Sequence, residues 1–318
     1  PGDWYDPVFW DLVGQNGCRY LEIFGPLTDT GAAVSHNAFA IAPSSLTRAL
    51  DLALPAPIAP GPALTAPAPP QAAMPPPEAA PRLQPLAGEE YLGVLARLHA
   101  ALAPRAYLEI GTLAGDTLAL ARCPAIAIDP AFRLDRDIAA TLPLAMLFEQ
   151  TADDFFAARD PAALLGAAPD LVLIDGMHRL EFALRDLINC ERHADPRGVI
   201  VLHDCVPLDL AMARRDQADP AVTAHPEHPG WWTGDVWKLL PILRRYRPDL
   251  ELLVLDAPPT GLVLLRRLNP GSTVLADRYG AIVAEALGEA DEAGAFARHL
   301  AALDLRPTAR LEALLAGG

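Results

Sequence analysis

The run at 107–117 constrains the fold more than any other part of this sequence, because it combines a strand, a tight turn and the start of a helix. Apolar residues lead up to Ile110, and Gly111 and Gly115 follow within the turn. Glycines let the backbone approach a ligand closely, and a helix that begins at such a turn points its free N–H groups at that ligand. We therefore predict a strand that ends at Ile110, a helix over 115–121 and a ligand site between them.

A second apolar run, at 125–129, ends in an acid, Asp129, which lies 18 residues after Gly111. In doubly wound α/β folds an acid at the end of the second strand can accept hydrogen bonds from both hydroxyls of a ribose. The glycine pattern is E-x-G-x-x-x-G, starting at Glu109, whereas dinucleotide-binding folds carry G-x-G-x-x-G. A nicotinamide-dependent oxidoreductase is therefore a weaker interpretation, and an ordinary strand–helix turn with two glycines remains an alternative.

Strands and helices alternate along 88–270, which predicts a doubly wound, Rossmann-like α/β sheet of parallel strands. The apolar runs predict strands at 106–110, 125–129, 144–148, 170–175 and 198–203. The spacing predicts helices at 89–103, 115–121, 132–141, 151–158 and 179–193, and a later helix that Asp235 caps and that ends near Tyr246. Runs at 250–255 and 261–265 are joined by a turn too short for a crossover helix, so these two strands must be antiparallel. The result is a predicted seven-stranded sheet whose last strand is reversed.

This order of elements, with the acid just before the first glycine, resembles motif I of the class I S-adenosylmethionine (SAM) methyltransferases. The resemblance implies SAM as the cofactor, with Glu109 near its methionine part, Gly111, Thr112 and Gly115 beneath it, and Asp129 at its ribose. In these enzymes an acid or polar group after the third strand contacts the adenine amine, which implies Asp153 here. A helix N-terminus, where the helix dipole favours acids, explains Asp153 nearly as well.

Polar residues also follow the fourth and fifth predicted strands. Asp175 and His178 come after the apolar run at 171–174, and His203 and Asp204 end the run at 199–204. Because open α/β sheets place their sites at the carboxyl ends of the strands, we expect Asp175 and Asp204 to converge. Two carboxylates suit a hard cation such as Mg²⁺, which could bind a substrate hydroxyl and lower its pKa. The alternatives are a helix cap at Asp175, a loop hydrogen bond at His178 and a structural turn at His203 and Asp204.

The pattern I-D-G-x-H followed by a strand ending in H-D resembles small-molecule O-methyltransferases of the macrocin and cephalosporin-biosynthesis type, over about 88–268. The resemblance implies methyl transfer to a hydroxyl oxygen of a small molecule, with His178 as a candidate general base. It also implies a metal held by Asp175 and Asp204, with His203 at the position of a third ligand. A histidine is an unusual ligand for Mg²⁺, so either the metal differs or His203 supports the ligands from behind.

Composition divides the chain into four parts and restricts its partners. A region at 1–54 has no readable role, a proline- and alanine-rich linker spans 55–87, and alanine- and leucine-rich helices at 271–318 follow the domain at 88–270. Those helices are expected to pack on the domain or on a partner, and they are candidates for forming a homo-oligomer. A non-catalytic assembly module that keeps the methyltransferase fold is therefore the rival interpretation.

The charge and cysteine content indicate where the protein works. A net charge of −15 without a basic run disfavours binding of nucleic acid through its phosphates, so a small-molecule acceptor is expected. No stretch of about 18 apolar residues indicates a membrane span. The four cysteines are scattered, which is consistent with a reducing cytoplasm. A loop that contains His225, His228, Trp231 and Trp232 is predicted to cover the acceptor, with a zinc site at its two histidines as a minor alternative.

Overall fold

A computed structural model describes residues 81–138 and 142–316, which are organised around one eight-stranded sheet. The strands are β1 (Tyr107–Ile110), β2 (Ala125–Ile128), β3 (Ala145–Phe148), β4 (Leu171–Ile174), β5 (Val199–His203), β6 (Glu251–Leu255), β7 (Leu262–Arg266) and β8 (Leu305–Arg306). The N-terminal region predicted at 1–54 and the linker up to residue 80 lie outside the described residues.

Nine α-helices lie within the described ranges. They are α1 (Tyr91–Leu102), α2 (Ala152–Ala158), α3 (Pro161–Leu165), α4 (Leu180–His193), α5 (Pro220–Thr223), α6 (Leu239–Tyr246), α7 (Val274–Leu287), α8 (Glu292–Ala301) and α9 (Leu311–Ala316). The predicted C-terminal helices are therefore α7, α8 and α9, and α7 packs on α4 and α6 of the domain. No described helix is both long enough and apolar enough to cross a membrane.

The strand order is β3-β2-β1-β4-β5-β7-β6-β8. Strands β1 to β5 pair in parallel, whereas β7 is antiparallel to both β5 and β6. The predicted parallel sheet with a reversed seventh strand is confirmed. The eighth strand was not predicted: two residues of β8 pair with β6, and the Asp256 N–H donates to the Arg306 carbonyl at 3.0 Å. This pairing covers the backbone of β6, which would otherwise be an open edge.

The register of the central strands aligns their carboxyl ends. Ile110 of β1 lies opposite Ile128 of β2 and opposite Ile174 of β4, and Ile174 lies opposite Leu202 of β5. The residue after each of these four positions therefore falls on one edge of the sheet. Those residues are Gly111, Asp129, Asp175 and His203.

Helices cover both faces of the sheet, because the strands are apolar on both sides. Leu108 and Ile110 of β1 belong to a core shared with α2, α4, α6 and α7, whereas Tyr107 faces a second core shared with α1 and α9. Alternate side chains of a strand point to opposite faces, so a strand buried on both sides reads as a continuous apolar run. This is why the sequence located the central strands to within a residue at each end.

Two predicted helices are wrong in extent. Residues 115–121 contain only a 3₁₀ turn, Leu118–Leu120, and residues 132–137 are not helical. The backbone N–H groups of Arg133 and Asp135 donate instead to the carbonyls of Leu113 and Ala114, at 2.9 and 3.1 Å. These bonds to the glycine turn take the place of the bonds that a helix would form within itself. The end of that predicted helix, 139–141, lies outside the described residues.

The role predicted for Asp235 is also wrong. Its side chain makes no capping bond to the helical segment that follows it. Oδ1 instead accepts the backbone N–H of Leu180 at 2.8 Å, which caps α4, and Oδ2 accepts from Arg215 at 2.6 Å. A cap supplied from another part of the chain satisfies the same free N–H group as a local cap. It cannot be read from local sequence.

Residues 82–88 run along the domain surface ahead of α1. The Leu83 N–H donates to the Leu208 carbonyl at 2.7 Å, and the Gly88 N–H donates to the Asp256 carbonyl at 3.1 Å. Leu83 packs against the core, and Arg82 forms an ion pair with Glu227 at 2.7 Å. The last residues of the range predicted as linker therefore contact the domain.

Candidate active site

Both glycines of the turn after β1 have a left-handed backbone, with φ of 87° at Gly111 and at Gly115. A Cβ added at Gly111 would lie 2.0 Å from the carbonyl oxygen of Asp175, and one at Gly115 would lie 3.0 Å from Leu134. Only glycine adopts such a backbone without strain and leaves this space free. Gly111 is therefore needed to bring the ends of β1 and β4 together, and Gly115 to let the turn pack against Leu134, whether or not a ligand also approaches them.

Asp129 holds the glycine turn from the end of β2. Its Oδ2 accepts the backbone N–H of Leu113 at 2.8 Å, and its Oδ1 accepts that of Ala131 at 2.7 Å. Leu113 itself has a left-handed backbone, with φ of 44°. Each carboxylate oxygen can accept more than one hydrogen bond, so these contacts leave acceptor capacity for a ribose hydroxyl.

Glu109 is fully buried on β1, where the Tyr107 hydroxyl donates to its Oε2 at 2.6 Å. Burial raises the pKa of Glu109 to about 7, although the hydrogen bond from Tyr107 acts in the opposite direction. A carboxyl group with such a pKa exchanges its proton near neutral pH, so a cation placed beside it would favour the charged form.

Asp153 lies in the first turn of α2, where Thr151 caps the helix by accepting the backbone N–H of Asp154. The carboxylate of Asp153 forms an ion pair with Arg185 of α4 at 2.6 Å, and Arg185 also donates to the Tyr279 hydroxyl. These contacts fit the helix-start interpretation of this acid. The predicted contact with adenine stays a prediction.

Asp175, His178 and Asp204 come together at the carboxyl edge of the sheet and are here called the acid–histidine cluster. Nε2 of His178 lies 3.1 Å from Oδ2 of Asp204 and 3.5 Å from Oδ1 of Asp175. One ligand atom from each residue lies within 4.8 Å of the others. The predicted convergence of the two aspartates is therefore present, and it includes His178.

The orientation of the His178 ring follows from its neighbours. Its Nδ1 lies 3.1 Å from the carbonyl oxygen of Trp232, and its ring stacks on that of Trp232 with centroids 4.9 Å apart. A carbonyl oxygen can only accept, so Nδ1 carries the hydrogen. Nε2 then faces two carboxylates, either as the second N–H of an imidazolium or as a lone pair directed at a bound cation. The second arrangement is typical of metal-ligating histidines.

His203 approaches the same carboxylates from behind. Its Nδ1 lies 3.1 Å from Oδ1 of Asp175 and 3.5 Å from Oδ2 of Asp204, and its ring stacks on Tyr91 of α1 at 4.5 Å. Its Nε2 is buried and has no partner within the described part of the chain. The three-residue set with cation-binding spacing contains His178 in place of the predicted His203. His203 is placed to orient Asp175.

Asp204 is held by an unusual backbone and one strong hydrogen bond. Its φ is 57°, which is uncommon for a residue other than glycine, and the Thr260 hydroxyl donates to its Oδ1 at 2.5 Å. This bond directs Oδ2 toward the two histidines. Thr260 reaches it because β7 lies next to β5, with Leu262 opposite His203.

The charges of the acid–histidine cluster are balanced when His203 is included. Burial lowers the pKa of both histidines, but Asp204 and then Asp175 raise the pKa of His178 to about 9, and Asp175 and then Asp204 raise that of His203 to about 9. Burial alone would raise the pKa of Asp175, but the two histidines hold that pKa well below its usual value. In the absence of a cation, both His178 and His203 are therefore positively charged imidazolium groups at neutral pH.

The loop predicted to cover the acceptor contains Trp231 and Trp232, and Trp232 contacts the cluster through His178. His225 is bound within the loop itself. Its Nε2 lies 2.9 Å from Oδ2 of Asp209, and its Nδ1 accepts the N–H of His228 at 2.9 Å. Both ring nitrogens are therefore occupied, and the zinc alternative at His225 and His228 is disfavoured.

Residues 108–205 match a family model described as a methyltransferase domain. The matched range begins in β1 and ends just after Asp204, so it contains the glycine turn and the whole acid–histidine cluster. Together with the strand order and the reversed β7, the match decides the fold.

This is the class I SAM-dependent methyltransferase fold.

Solved structures to which this chain is similar include two methyltransferases and one cofactor-bound protein. The O-methyltransferase TomG of Streptomyces achromogenes, in complex with SAM, is 18% identical over 58% of this chain and 82% of its own, with a TM-score of 0.40. Rv0187 from MTB, which is cofactor-bound, is 20% identical over 60% and 86%, with a TM-score of 0.42. The SAH-bound methyltransferase PaMTH1 of Podospora anserina is 12% identical over 55% and 76%, with a TM-score of 0.39.

With TM-scores of 0.42 or less, these likenesses add nothing to the assignment of the fold or of a function. A search of curated protein sequences gave no match to this chain.

Three groups that sequence reasoning missed surround the cluster. Tyr91 stacks on His203, Thr260 holds Asp204, and the carbonyl of Trp232 orients His178. The only indication of Thr260 in the sequence was its place in the short turn at 256–260, just before the reversed strand. A backbone carbonyl carries no signal in the sequence.

Proposed function

We propose that this protein transfers a methyl group from SAM to a hydroxyl oxygen of a small molecule, assisted by a divalent cation at the acid–histidine cluster. The observation that carries the proposal is the convergence of Asp175, His178 and Asp204 beside the glycine turn. The fold alone does not require a buried acid, a half-buried acid and an imidazole at one point, because such groups are costly to remove from water unless they are paired or bind a ligand.

The cofactor would be held by the glycine turn and the acids that end β1 and β2. Glu109, Gly111, Thr112 and Gly115 would lie along its methionine part, and Asp129 would bind its ribose. Asp153 remains the candidate for the adenine amine, provided that it can serve both the cofactor and Arg185. SAM supplies an electrophilic methyl group when bound, and the protein's contribution is to position that group in line with the acceptor oxygen.

The donor set of the cluster fits a divalent cation. Two carboxylate oxygens and one imidazole nitrogen give three protein ligands, which leaves positions open for an acceptor oxygen and water. A bound cation would lower the pKa of the acceptor hydroxyl. The imidazole nitrogen makes a transition metal such as Mn²⁺ as suitable as Mg²⁺.

The geometry favours a ligand role for His178 over the role of general base that the sequence suggested. A histidine with a pKa of about 9 keeps its proton at neutral pH and cannot accept another. With a cation in the cluster, Nε2 becomes a neutral donor atom and is again not free to accept a proton. His178 would act as a base only if its Nε2 carried neither the proton nor the cation.

The proposal is tested by calorimetric titration with SAM, and by methyl transfer to a panel of phenols, sugars and hydroxy acids. We expect SAM to bind with or without a chelator, and transfer to require the cation. Asp204→Asn should abolish transfer, whereas Asp304→Asn, at an exposed carboxylate outside the cluster, should not. Transfer that the chelator leaves unchanged would remove the cation from the proposal. Failure to bind SAM would favour the non-catalytic assembly module.

A further inference from the structure

We propose that a groove between α6, α7 and α8, here called the helix groove, binds a small amphipathic anion with an apolar body and a carboxylate or phosphate head. Its volume is about 560 Å³, which falls within the range of small-molecule sites. No residue of the acid–histidine cluster lines it. The inference is therefore independent of the proposed methyl transfer.

The floor of the helix groove is apolar. It is formed by side chains from all three helices and from the turn before α6, namely Trp237, Ile242, Ile282, Ala286 and Ala295. Trp237 and Ile282 are buried, and Trp237 packs edge-on against Phe296 at 5.3 Å. Such a floor removes an apolar ligand from water without displacing strongly bound water, so it favours the body of an amphipathic molecule.

The side chains that line the rim of the helix groove include more cations than anions, but three of the four cations are paired with acids, among them Asp235 and Asp291, which do not line the groove. The rim carries four cations, Lys238, Arg244, Arg245 and Arg298, against two anions, Glu285 and Glu289. Arg245 pairs with Glu285, Arg298 with Glu289 at 3.5 Å, and Lys238 with Glu292 at 3.2 Å.

Arg244 is the exception on this rim, because it has no ion-pair partner among residues 81–138 and 142–316. It is half-buried at the groove. A guanidinium presents a planar set of donors that matches a carboxylate or a phosphate in two parallel hydrogen bonds. Arg244 therefore supplies the charge that an anionic head would meet.

A second unsatisfied group lies at the floor. Nε1 of Trp237 is buried and has no hydrogen-bond partner within the described ranges. The neighbouring His299 adds no charge to the floor, since burial and then Arg244 lower the pKa of His299 to about 4 and keep its ring neutral. A buried donor without a partner destabilises a fold, but Nε1 of Trp237 has almost no surface that a ligand in the groove could touch, so binding there would depend on Arg244 and on the apolar floor.

The test uses the full protein and three probes of equal chain length: decanoate, decyl phosphate and decanol. Calorimetric titration should show saturable binding of at least one of the two anions, and decanol should bind about tenfold more weakly because it lacks the charge-assisted bonds to Arg244. A preference for decanoate or for decyl phosphate would identify the head group.

Three variants locate the site, and a fourth serves as the matched control. Arg244→Glu should weaken anion binding about tenfold or more, and Ala286→Phe and Ala302→Trp should each abolish it by filling the groove. Arg278→Glu makes the same charge change at an exposed position of α7 outside the groove, and it should leave the affinity unchanged. SAM binding should persist in every variant, which separates this test from that of the proposed function.

Several results would overturn the inference. One is the absence of saturable binding of both anions to the wild-type protein at millimolar concentration. Another is equal weakening by Arg278→Glu, which would indicate general attraction to positive charge. A dimer in sedimentation that Ala302→Trp dissociates would assign the groove to a second copy of the chain. Circular dichroism identifies any variant that fails to fold, and the remaining variants then decide.

Discussion

Nε2 of His178 lies 3.1 Å from Oδ2 of Asp204, and this contact joins a residue that follows β4 to the residue that follows β5. The two strands pair in parallel, with Ile174 opposite Leu202, so the contact spans neighbouring positions at one edge of the sheet. The opposite nitrogen of His178 is fixed by the Trp232 carbonyl. The imidazole is therefore held from both sides, and it can respond to a cation only through Nε2.

Thr260→Val should loosen Asp204, because it removes the hydroxyl that donates to Oδ1. A hydrogen bond to a charged group contributes about 1.5–3 kcal/mol, so we expect a loss of this size in the free energy of unfolding by urea. Divalent-cation affinity should fall as well. Thr260→Ser keeps the hydroxyl and should behave like the wild type; an equal loss in both variants would point to the methyl group.

Asp129→Ala should weaken SAM binding by about 1–3 kcal/mol, since it removes the predicted ribose contact. The same change leaves the N–H groups of Leu113 and Ala131 without their acceptor, so the unfolding free energy should also fall. Calorimetry with SAM and urea unfolding measure the two effects separately. Unchanged SAM affinity in a folded variant would show that Asp129 serves the turn alone.

Gly111→Ala should be strongly destabilising, because the new Cβ would lie 2.0 Å from the carbonyl oxygen of Asp175 on a backbone with φ of 87°. The left-handed conformation alone costs about 1–2 kcal/mol for a residue with a Cβ, and the clash adds to it. Gly280→Ala is the matched control, since this position in α7 has open space around it. There the change should stabilise by up to about 1 kcal/mol. Similar unfolding curves for the two variants would contradict the close approach of β1 and β4.

In the presence of a chelator, the metal-free protein should lose stability as the pH rises from neutral to alkaline. The pKa values of His178 and His203 are raised from 6.5 to about 9 in the folded state. Their contribution is therefore fully present below about pH 6.5 and is lost as the pH rises through about 9, with a change on the order of a few kcal/mol. Urea unfolding at a series of pH values measures it.

Asp175 gives the opposite dependence at acid pH, because its pKa is lowered in the folded state. Its contribution to stability is present when the pH is above the ordinary pKa of an aspartate, and it is lost as the pH falls into the acid range. A His178→Gln variant should show a smaller alkaline loss, whereas His193→Gln, outside the cluster, should show the full loss. A flat pH profile from 6 to 9 in the wild type would contradict the charge balance described above.

Sequence reasoning located the two aspartates of the cluster, because continuous apolar runs define buried parallel strands and the residues after them fall on one edge. It also proposed His178 as a general base and His203 as the third metal ligand. The structure brings His178 into the cluster instead, because the ring orientations depend on the Trp232 carbonyl and on Tyr91, which local sequence does not reveal. Thr260 was missed because its position depends on β7 lying between β5 and β6. The helix predicted at 132–141 was wrong because helical spacing does not reveal that Arg133 and Asp135 donate to the glycine turn.

Binding of Mn²⁺, followed by electron paramagnetic resonance in a titration of the metal-free protein, tests the metal centre most directly. The account predicts one bound ion per chain, loss of that ion in Asp175→Asn and Asp204→Asn, weaker binding in His178→Ala, and unchanged binding in Asp304→Asn. An ion that binds equally well to the Asp204→Asn and Asp304→Asn variants, or no bound ion in the wild type, would contradict a metal centre at Asp175, His178 and Asp204.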